Sequence, residues 1–410
     1  MREKSFKRVF IMLFVFVLFA AVLTFGATEV KEIRIAIEAT GQISEEFAEQ
    51  LERFNEAHED IHVSVRTFSG GDAYNQALMG QIAGGIAPDV FLLDGGERIK
   101  MFVDYSALLP LDHLASGADL DLDNFETSLL NAFVVDGRIY GIPKDYNTTA
   151  LFYHKDLFEE KDLAVPETWN ELEVAAEILT DGDIYGLGMY PQINYLLPFI
   201  ESAGAHFVTA EGIDMDEFLS EEHIEALKFI QSLYVDKEIA VSPQMIGAGW
   251  DGAMFANKQV AMVYGGSWIP GVVLGQKPDA PIGAAPLPIK EEKSSMLYTA
   301  GWVISNRSRY PEAAMTLIKF LVSDKELVDG NLVGLIGLPP TESSMNKLIE
   351  VKKDDPLLKT YSEVVKYGTP FGWMKPEFVD KYNRMLETLI YRPESTTVEE
   401  AVEALAKEIE

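Results

Sequence analysis

The residues that first suggest chemistry are two histidines in the segment FNEAHEDIHV. The run from His58 to His62 matches the H-E-x-x-H pattern of zinc-dependent proteases. In those enzymes both imidazoles bind the metal from one face of a helix, and the glutamate, here Glu59, acts as the general base. The pattern therefore indicates a protease only if both histidines lie on one helix.

The hydrophobic pattern around these histidines contradicts a shared helix. Apolar residues recur at helical spacing as far as Phe54, which predicts a helix that ends near His58. From Ile61 onward apolar and polar residues alternate, so His62 falls in a predicted strand. No third ligand follows at a familiar spacing. We therefore predict that the chain binds no metal and no cofactor, and we set the protease aside.

Two carboxylates in predicted loops, Asp94 and Asp145, offer a second kind of chemistry. A pair of carboxylates at a suitable separation hydrolyses glycosidic bonds. The chain has 65 acidic residues, so two acids in loops are weak evidence for catalysis. A secreted carbohydrate-active hydrolase remains the alternative function, and turnover of a glycoside by the purified protein would distinguish it from a binding protein.

Three tryptophans follow or flank glycines in predicted loops: Trp268 in GGSW, Trp302 in AGW and Trp373 in FGW. A tryptophan beside a glycine can present the face of its ring. Sugars offer C–H faces that stack on such rings, while their hydroxyls bond to carboxylates and amides. Trp169 and Trp250 lie within or just before predicted helices, and we expect them to pack in the core.

The elements that must position these residues follow an α/β pattern. Alternating or continuous apolar runs predict strands over 31–39, 61–68 and 88–95, with helices between them. This order is typical of a parallel sheet covered by helices. Open sheets of this kind bind ligands beyond the carboxyl ends of their strands, where Thr40-Gly41 and Asp94-Gly95-Gly96 lie.

Two local predictions concern the middle of the chain. The segment GRIYGIPKDYNTTALFYHKDLF is predicted to form a strand, a loop, a second strand and the start of a helix. The segment NFETSLLNAF is predicted to be a helix with Asp123 as its N-cap.

Composition limits the class of protein. The chain has 410 residues, enough for two domains, and it contains no cysteine, so no disulfide can stabilise it. Its formal net charge of −31 argues against nucleic acid and anionic lipid as partners.

The first 27 residues resemble a secretory signal peptide. A basic segment, MREKSFKR, precedes an uncharged apolar run from Val9 to Phe25, and small residues follow at Gly26 and Ala27. A retained membrane anchor is the alternative. In either case we expect the rest of the chain to be periplasmic or extracellular.

Several phrases in order resemble the family 1 extracellular solute-binding proteins of bacterial ABC importers, which include the maltose-binding protein. The phrases that carry the resemblance are FAEQLERFNEAHEDIHVSV, QIAGGIAPDVFLLDGG, GIPKDYNTTALFYHKDLF, PETWNELEVAAEIL, FANKQVAMVYGGSWIPG and PEAAMTLIKFLVSDKE.

The resemblance implies a two-lobed α/β periplasmic binding protein fold with a ligand cleft between discontinuous lobes. One lobe would hold residues 28–143 and 301–337, and the other 147–298 and 340–410. Crossovers near 143–147, 299–302 and 338–340 would form the hinge.

The resemblance also implies a function and a set of site residues. The protein would not be an enzyme. As a monomer it would capture a sugar, by this analogy an oligosaccharide, and deliver it to the permease subunits of an ABC transporter. The residues that match the family's ligand-contacting loops are Thr40, Gly41, Asp94, Asp145, Tyr146, Asn147, Trp268, Gly301, Trp302 and Trp373. The amide of Asn147 stands where the maltose-binding protein has a carboxylate, which argues against maltose as the ligand.

Overall fold

The structure is a computed structural model, and it describes residues 30–38, 43–68, 72–209, 212–332, 337–353, 355 and 357–409. The predicted signal segment, Thr40 and Gly41 lie outside the described residues.

The strands are β1 (Lys31–Glu38), β2 (Ile61–Phe68), β3 (Val90–Asp94), β4 (Val134–Val135), β5 (Arg138–Ile139), β6 (Gly141–His154), β7 (Tyr185–Gly188), β8 (Val208–Thr209), β9 (Gly212–Ile213), β10 (Ala240–Val241), β11 (Val260–Gly266), β12 (Ile282–Ala285), β13 (Ser295–Ile304) and β14 (Gly368–Pro370).

The helices are α1 (Glu45–Ala57), α2 (Asp72–Ala83), α3 (Glu97–Asp104), α4 (Asp112–Gly117), α5 (Thr127–Asn131), α6 (Lys155–Glu160), α7 (Trp169–Leu179), α8 (Ile193–Ser202), α9 (Met215–Phe218), α10 (Glu221–Tyr234), α11 (Asp251–Ala256), α12 (Ile269–Gln276), α13 (Pro311–Leu321), α14 (Asp324–Leu332), α15 (Glu342–Val351), α16 (Leu358–Val364), α17 (Pro376–Tyr391) and α18 (Val398–Ile409). Short 3-10 turns include Phe371–Trp373.

Local sequence signals explain where several of these elements begin. The Ser44 hydroxyl accepts the Phe47 N–H at 3.2 Å and caps α1, as its position before the apolar run predicts. Thr168 and Glu171 form a reciprocal capping box at the start of α7. Each cap satisfies backbone donors that the first turn of a helix leaves free.

One sheet connects the two ends of the molecule. Within the described residues its strand order is β10-β7-β11-β6-β13-β3-β1-β2, with β12 beside β6 and β14 beside β13. Strands β2, β1 and β3 are parallel, as the sequence predicts. Strands β6 and β13 are antiparallel to each other at the middle of the sheet, with a register shift at Ala300/Gly301.

The buried apolar residues form several clusters, two of which lie on opposite sides of this middle. Around β1, β2 and β3 they include Phe54, Leu111 and Leu317, all fully buried. On the far side they include Phe207 and Tyr382, packed between α8, α10, α17 and α18. The central strands thus join two bodies that each bury a core of their own.

Two local predictions were wrong. The predicted loop between strands at PKDYN does not exist, because β6 continues from Gly141 to His154. Pairing with β13 holds it in extended form, and Pro143 itself lies opposite Gly301. The helix expected after Asp123 begins only at Thr127, with Glu126 as its N-cap, because Phe125 is extended and bridges to Thr341.

None of the helices in the described ranges combines the length and apolar character that a membrane crossing requires.

Candidate functional site

A cavity of about 1210 Å³ opens between helix α3 and the segment 370–380. Its floor includes Leu297, Tyr298 and Thr299 of the central strand β13. One wall carries Asp94 and Arg98, and the facing wall carries Phe371 and Gly372 with the first turn of α17. The cavity therefore lies between the two bodies, beside β13 and the end of β3.

Three aromatic side chains form a continuous row beside this cavity, which we call the aromatic row: Trp268, Tyr298 and Phe371. The Trp268 and Tyr298 ring centres are 5.6 Å apart, and those of Tyr298 and Phe371 are 5.5 Å apart. The Tyr298 hydroxyl donates to the Asn194 carbonyl oxygen at 3.2 Å, and burial raises its pKa. The middle ring is thus held in place. Trp268, at one end of the row, is 38% exposed.

The opposite wall is polar. Arg98 Nε, in the first turn of α3, lies 3.5 Å from Oδ2 of Asp94, the last residue of β3. The Asp94 side chain is 68% exposed; its partial burial raises the pKa of its carboxyl, and the Arg98 charge opposes that rise. The Asp94 carboxylate can accept hydrogen bonds from polar groups of a ligand, and the Arg98 guanidinium can donate hydrogen bonds to them.

Two glycines make room for the aromatic row. A Cβ added at Gly266 would lie 2.2 Å from the Trp268 ring, and one added at Gly265 would lie 2.9 Å from Asp251 Oδ2. The GGSW sequence therefore lets the indole fold back over the end of β11, and lets a buried carboxylate lie beneath it.

Asp145 and Asn147 lie in strand β6, and both side chains already have partners within the protein. Asp145 is 13% exposed; it pairs with Lys144, and its Oδ2 accepts the Gly337 N–H at 2.9 Å. The Asn147 side-chain oxygen accepts the Ser267 hydroxyl at 3.2 Å. The Asp145 carboxylate is therefore fixed in place by contacts within the protein.

Tyr146, Gly301 and Trp302 lie in strands, whereas the resemblance implies ligand-contacting loops at these positions. The Tyr146 ring is buried, and its hydroxyl donates to the Tyr361 carbonyl oxygen at 3.3 Å. A Cβ at Gly301 would lie 2.6 Å from the Phe133 ring, so close packing requires the glycine.

Trp302 is 3% exposed, and its ring stacks on Phe47, with centres 6.4 Å apart. It is four residues beyond Tyr298 on the same strand, about 13 Å further along at the usual rise. It borders a smaller cavity of about 250 Å³, which Glu38 and Ile43 also line, and not the large one.

Trp373 is half-buried in the 3-10 turn whose other members, Phe371 and Gly372, line the large cavity. Thr40 and Gly41 cannot be placed, because they lie outside the described residues. Of the ten predicted site residues, Asp94 lines the large cavity itself, while Trp268 joins the aromatic row.

The sequence prediction missed Tyr298, Phe371 and Asp251. Tyr298 lies in LYTAGW and Phe371 in FGW, and in both segments the prediction selected the tryptophan instead. A search for any aromatic residue near a strand end, without preference for tryptophan, would have found both. Asp251 carried no signal, because one acid at a helix start usually caps the helix.

The two histidines of the H-E-x-x-H match lie on different elements, as predicted. His58 follows the last residue of α1, and its Nδ1 is 2.9 Å from the Phe54 carbonyl oxygen. His62 is exposed in β2. In the described part of the chain no group of three or more His, Asp or Glu side chains is arranged to hold a metal ion.

Comparison with known proteins gives a consistent family. The profile of the bacterial extracellular solute-binding proteins matches residues 38–327. An arabinooligosaccharide-binding protein of Halalkalibacterium halodurans is 25% identical over 77% of this chain and 72% of its own length. A multiple sugar-binding protein of Streptococcus mutans is 24% identical over 80% of this chain and 82% of its own.

Solved structures share the fold. The sugar-binding protein MalE of Xanthomonas citri superposes with a TM-score of 0.80 at 21% identity, over 92% of this chain and 96% of that one. The cyclic alpha-maltosyl-1,6-maltose binding protein of Arthrobacter globiformis gives a TM-score of 0.77 at 19% identity, over 93% of this chain and 98% of that one. These likenesses show the two-lobed α/β fold that the sequence predicts.

Proposed function

Because the chain belongs to the family of bacterial extracellular solute-binding proteins, we propose that it binds an oligosaccharide in the large cavity and delivers it to an ABC transporter. The family and the relatives are binding proteins rather than enzymes. The ligand class follows from relatives named for arabinooligosaccharides, galactooligosaccharides and multiple sugars.

The observation that carries the proposal is the pairing of the aromatic row with a polar wall across one cavity. Tyr298 and Phe371 offer ring surface to the C–H faces of a sugar, and Asp94 and Arg98 offer bonds to its hydroxyls. At about 1210 Å³ the cavity exceeds the usual range of roughly 300–1,000 Å³ for small-molecule sites. That size favours a chain of sugar units over a single ring.

The mechanism we propose is closure of two lobes on the ligand. The lobes would comprise residues 28–143 with 301–337, and 147–298 with 340–410. Three chain crossings would form the hinge, and they lie side by side: Tyr146 pairs with Thr299 in the sheet and bridges to Leu338. A sugar that contacts both lobes binds the closed state better, so it shifts the population toward that state.

We also propose that the protein acts outside the cytoplasm as a monomer, after export by its first 27 residues. Its partner would be the membrane permease of the transporter. The net charge of −31 is consistent with a protein that diffuses freely and does not adsorb to anionic lipid.

The test is a thermal-shift screen of residues 28–410. The panel contains arabinotriose, maltotriose, mannotriose and galactotriose, with EDTA and zinc as controls. Ligand at a hundredfold excess over its Kd stabilises the folded state by about 2.7 kcal/mol, which raises the melting temperature by several degrees. A rise with one sugar series and none with zinc supports the proposal.

Two results would contradict it. One is a melting temperature that no sugar changes, and the other is release of reducing ends from the same sugars, which would revive the hydrolase. Loss of stability in EDTA would return attention to His58 and His62.

A further inference from the structure

We propose that Gly96 and Gly372 are positioning residues for ligand capture, because they let the two walls of the cavity meet backbone against backbone. This contact, which we call the glycine contact, sets how far the walls close on a bound sugar. The inference rests on the proposed function, since it takes the large cavity as the ligand site.

The distances leave no space for a side chain on either wall. A Cβ built on Gly96 would lie 2.2 Å from the carbonyl carbon of Gly372 and 2.4 Å from its oxygen. A Cβ built on Gly372 would lie 1.8 Å from the carbonyl oxygen of Gly95. The obstructing atoms belong to the backbone, so no side-chain rotation relieves them. Any other residue at these positions must move the walls apart.

The two walls are anchored in different cores. Gly96 donates its N–H to the Ala132 carbonyl oxygen at 2.7 Å and precedes α3, whose Phe102 packs against the β1–β3 side of the sheet. Gly372 precedes Met374 and Phe378, which are buried in the core of α8, α10 and α17. The glycine contact therefore joins the two bodies beside β13, to which both segments also bond: the Gly95 N–H donates to the Thr299 carbonyl oxygen at 3.1 Å, and Pro370 pairs with Leu297.

Gly95 and Gly372 both line the large cavity, so their contact forms one of its edges. Opening the contact by the width of a methyl group would widen the cavity on that side. A sugar that bonds to Asp94 on one wall and stacks on Phe371 on the other would lose one of these interactions. The closed state would then be less favourable, and the apparent affinity would fall with it.

Gly372→Ala is the informative variant. Gly96 has φ 81° and ψ −135°, a conformation that only glycine adopts readily, so a change there also strains the chain locally. Gly372 lies in an ordinary 3-10 turn, where alanine is strained only by the facing wall. Gly275→Ala is the matched control, because it lies in helix α12 with nothing within 4 Å of an added Cβ.

The measurement is the distance between spin labels on the two bodies. The chain has no cysteine, so labels at Glu52→Cys in α1 and Glu387→Cys in α17, both exposed, report only this distance. We expect Gly372→Ala to lengthen the distance both without ligand and at saturation with sugar. The sugar is maltotriose or arabinotriose, whichever gives the larger thermal shift. The control should match the parent. Calorimetric titration should show affinity reduced tenfold or more for Gly372→Ala alone.

Equal distances and equal affinities for the Gly372 and Gly275 variants would overturn the inference. The label distances without sugar test the glycine contact even if no sugar binds, so failure of the proposed function remains a separate result.

If Gly372→Ala does not fold, hydrogen exchange of the unaltered protein replaces it. The peptides that contain Gly95–Gly96 and Gly372 should then be protected or exposed together under every condition. Independent exchange of the two peptides would overturn the inference.

Discussion

At the scale of single residues, the site depends on which aromatic rings face the cavity. Tyr298 links Trp268 and Phe371 into one row, while Trp302, on the same strand, stacks on Phe47 in the core. Tryptophans beside glycines thus lie in different places: Trp268 joins the row beside the large cavity, and Trp302 is buried. Residue type alone could not separate them, because the neighbours that bury Trp302 come from elements distant in sequence.

Truncation of the aromatic row should weaken sugar binding. Phe371→Ala is expected to lower the affinity about tenfold, because loss of one ring contact is worth roughly 0.5–1.5 kcal/mol beyond its buried area. Calorimetric titration with the sugar that gives the largest thermal shift measures it. Trp302→Phe is the control, and it should lower the melting temperature without changing affinity. The reverse pattern would place the ligand in the smaller cavity.

Asp251 predicts a pH dependence of stability. Its side chain is 1% exposed, and its Oδ1 accepts the Gly252 N–H at 2.9 Å. Oδ2 accepts no hydrogen bond of ordinary geometry from any described residue, although the Tyr195 phenol is near enough to interact. Burial raises the pKa of this carboxyl from 3.8 to about 6. Ionisation therefore opposes folding, and this penalty grows as the pH rises from about 4 to about 6.

Asp251→Asn removes that penalty while it keeps an acceptor for Gly252. We expect the variant to be more stable than the parent at pH 8, by up to about 3 kcal/mol, and equal to it near pH 4. Urea unfolding at both pH values checks this. Asp183→Asn, at an exposed loop position, should show no such difference. A variant less stable than the parent at pH 8 would mean that the carboxylate has a charged partner.

At the scale of elements, the parallel strands β1, β2 and β3 and the helices between them were predictable from periodicity alone. The long strand β6 was not. Its PKDYN segment has turn-forming residues, yet pairing with β13 holds it extended, and Lys144 is the extra residue at the register shift. Since β13 lies about 150 residues later, no local pattern in β6 contains this information.

Substitution of Asp145 tests whether its contacts stabilise the region where the chain crosses between the two bodies. Asp145→Ala removes the partner of Lys144 and the acceptor of the Gly337 N–H. We expect a loss of about 1.5–3 kcal/mol in the free energy of unfolding, the usual effect of a hydrogen bond to a charged group. Urea unfolding measures the loss, and Asp181→Ala, which breaks an exposed pair with Lys161, should lose less than about 1 kcal/mol. Equal losses would mean that the Asp145 contacts do not stabilise the crossing.

At the scale of the whole molecule, the resemblance to a family predicted more than the physical pattern did. Composition and periodicity indicate an α/β protein with room for two cores. Only the ordered set of phrases indicated two lobes and a cleft. The cavity itself depends on Leu297–Thr299 and the segment 370–380, which meet only in the folded chain.

Closure should be visible in solution scattering. For residues 28–410 a compact chain of this length has a radius of gyration of about 21 Å. A saturating sugar from the screen should reduce the measured value, while a sugar that gives no thermal shift should leave it unchanged. Contraction with every sugar, or with none, would contradict ligand-driven closure.

The position of β13 in the chain has a consequence for synthesis. β13 pairs with β3, although β3 leaves the ribosome about two hundred residues earlier. At a synthesis rate of roughly 5–20 residues per second, β13 emerges about ten to forty seconds after β3, and the sheet around β1–β3 stays incomplete until then. Pairing over such separations is also slow in itself. A sheet that is completed this late leaves time for the chain to thread through a secretion channel before it folds, which fits the export proposed above.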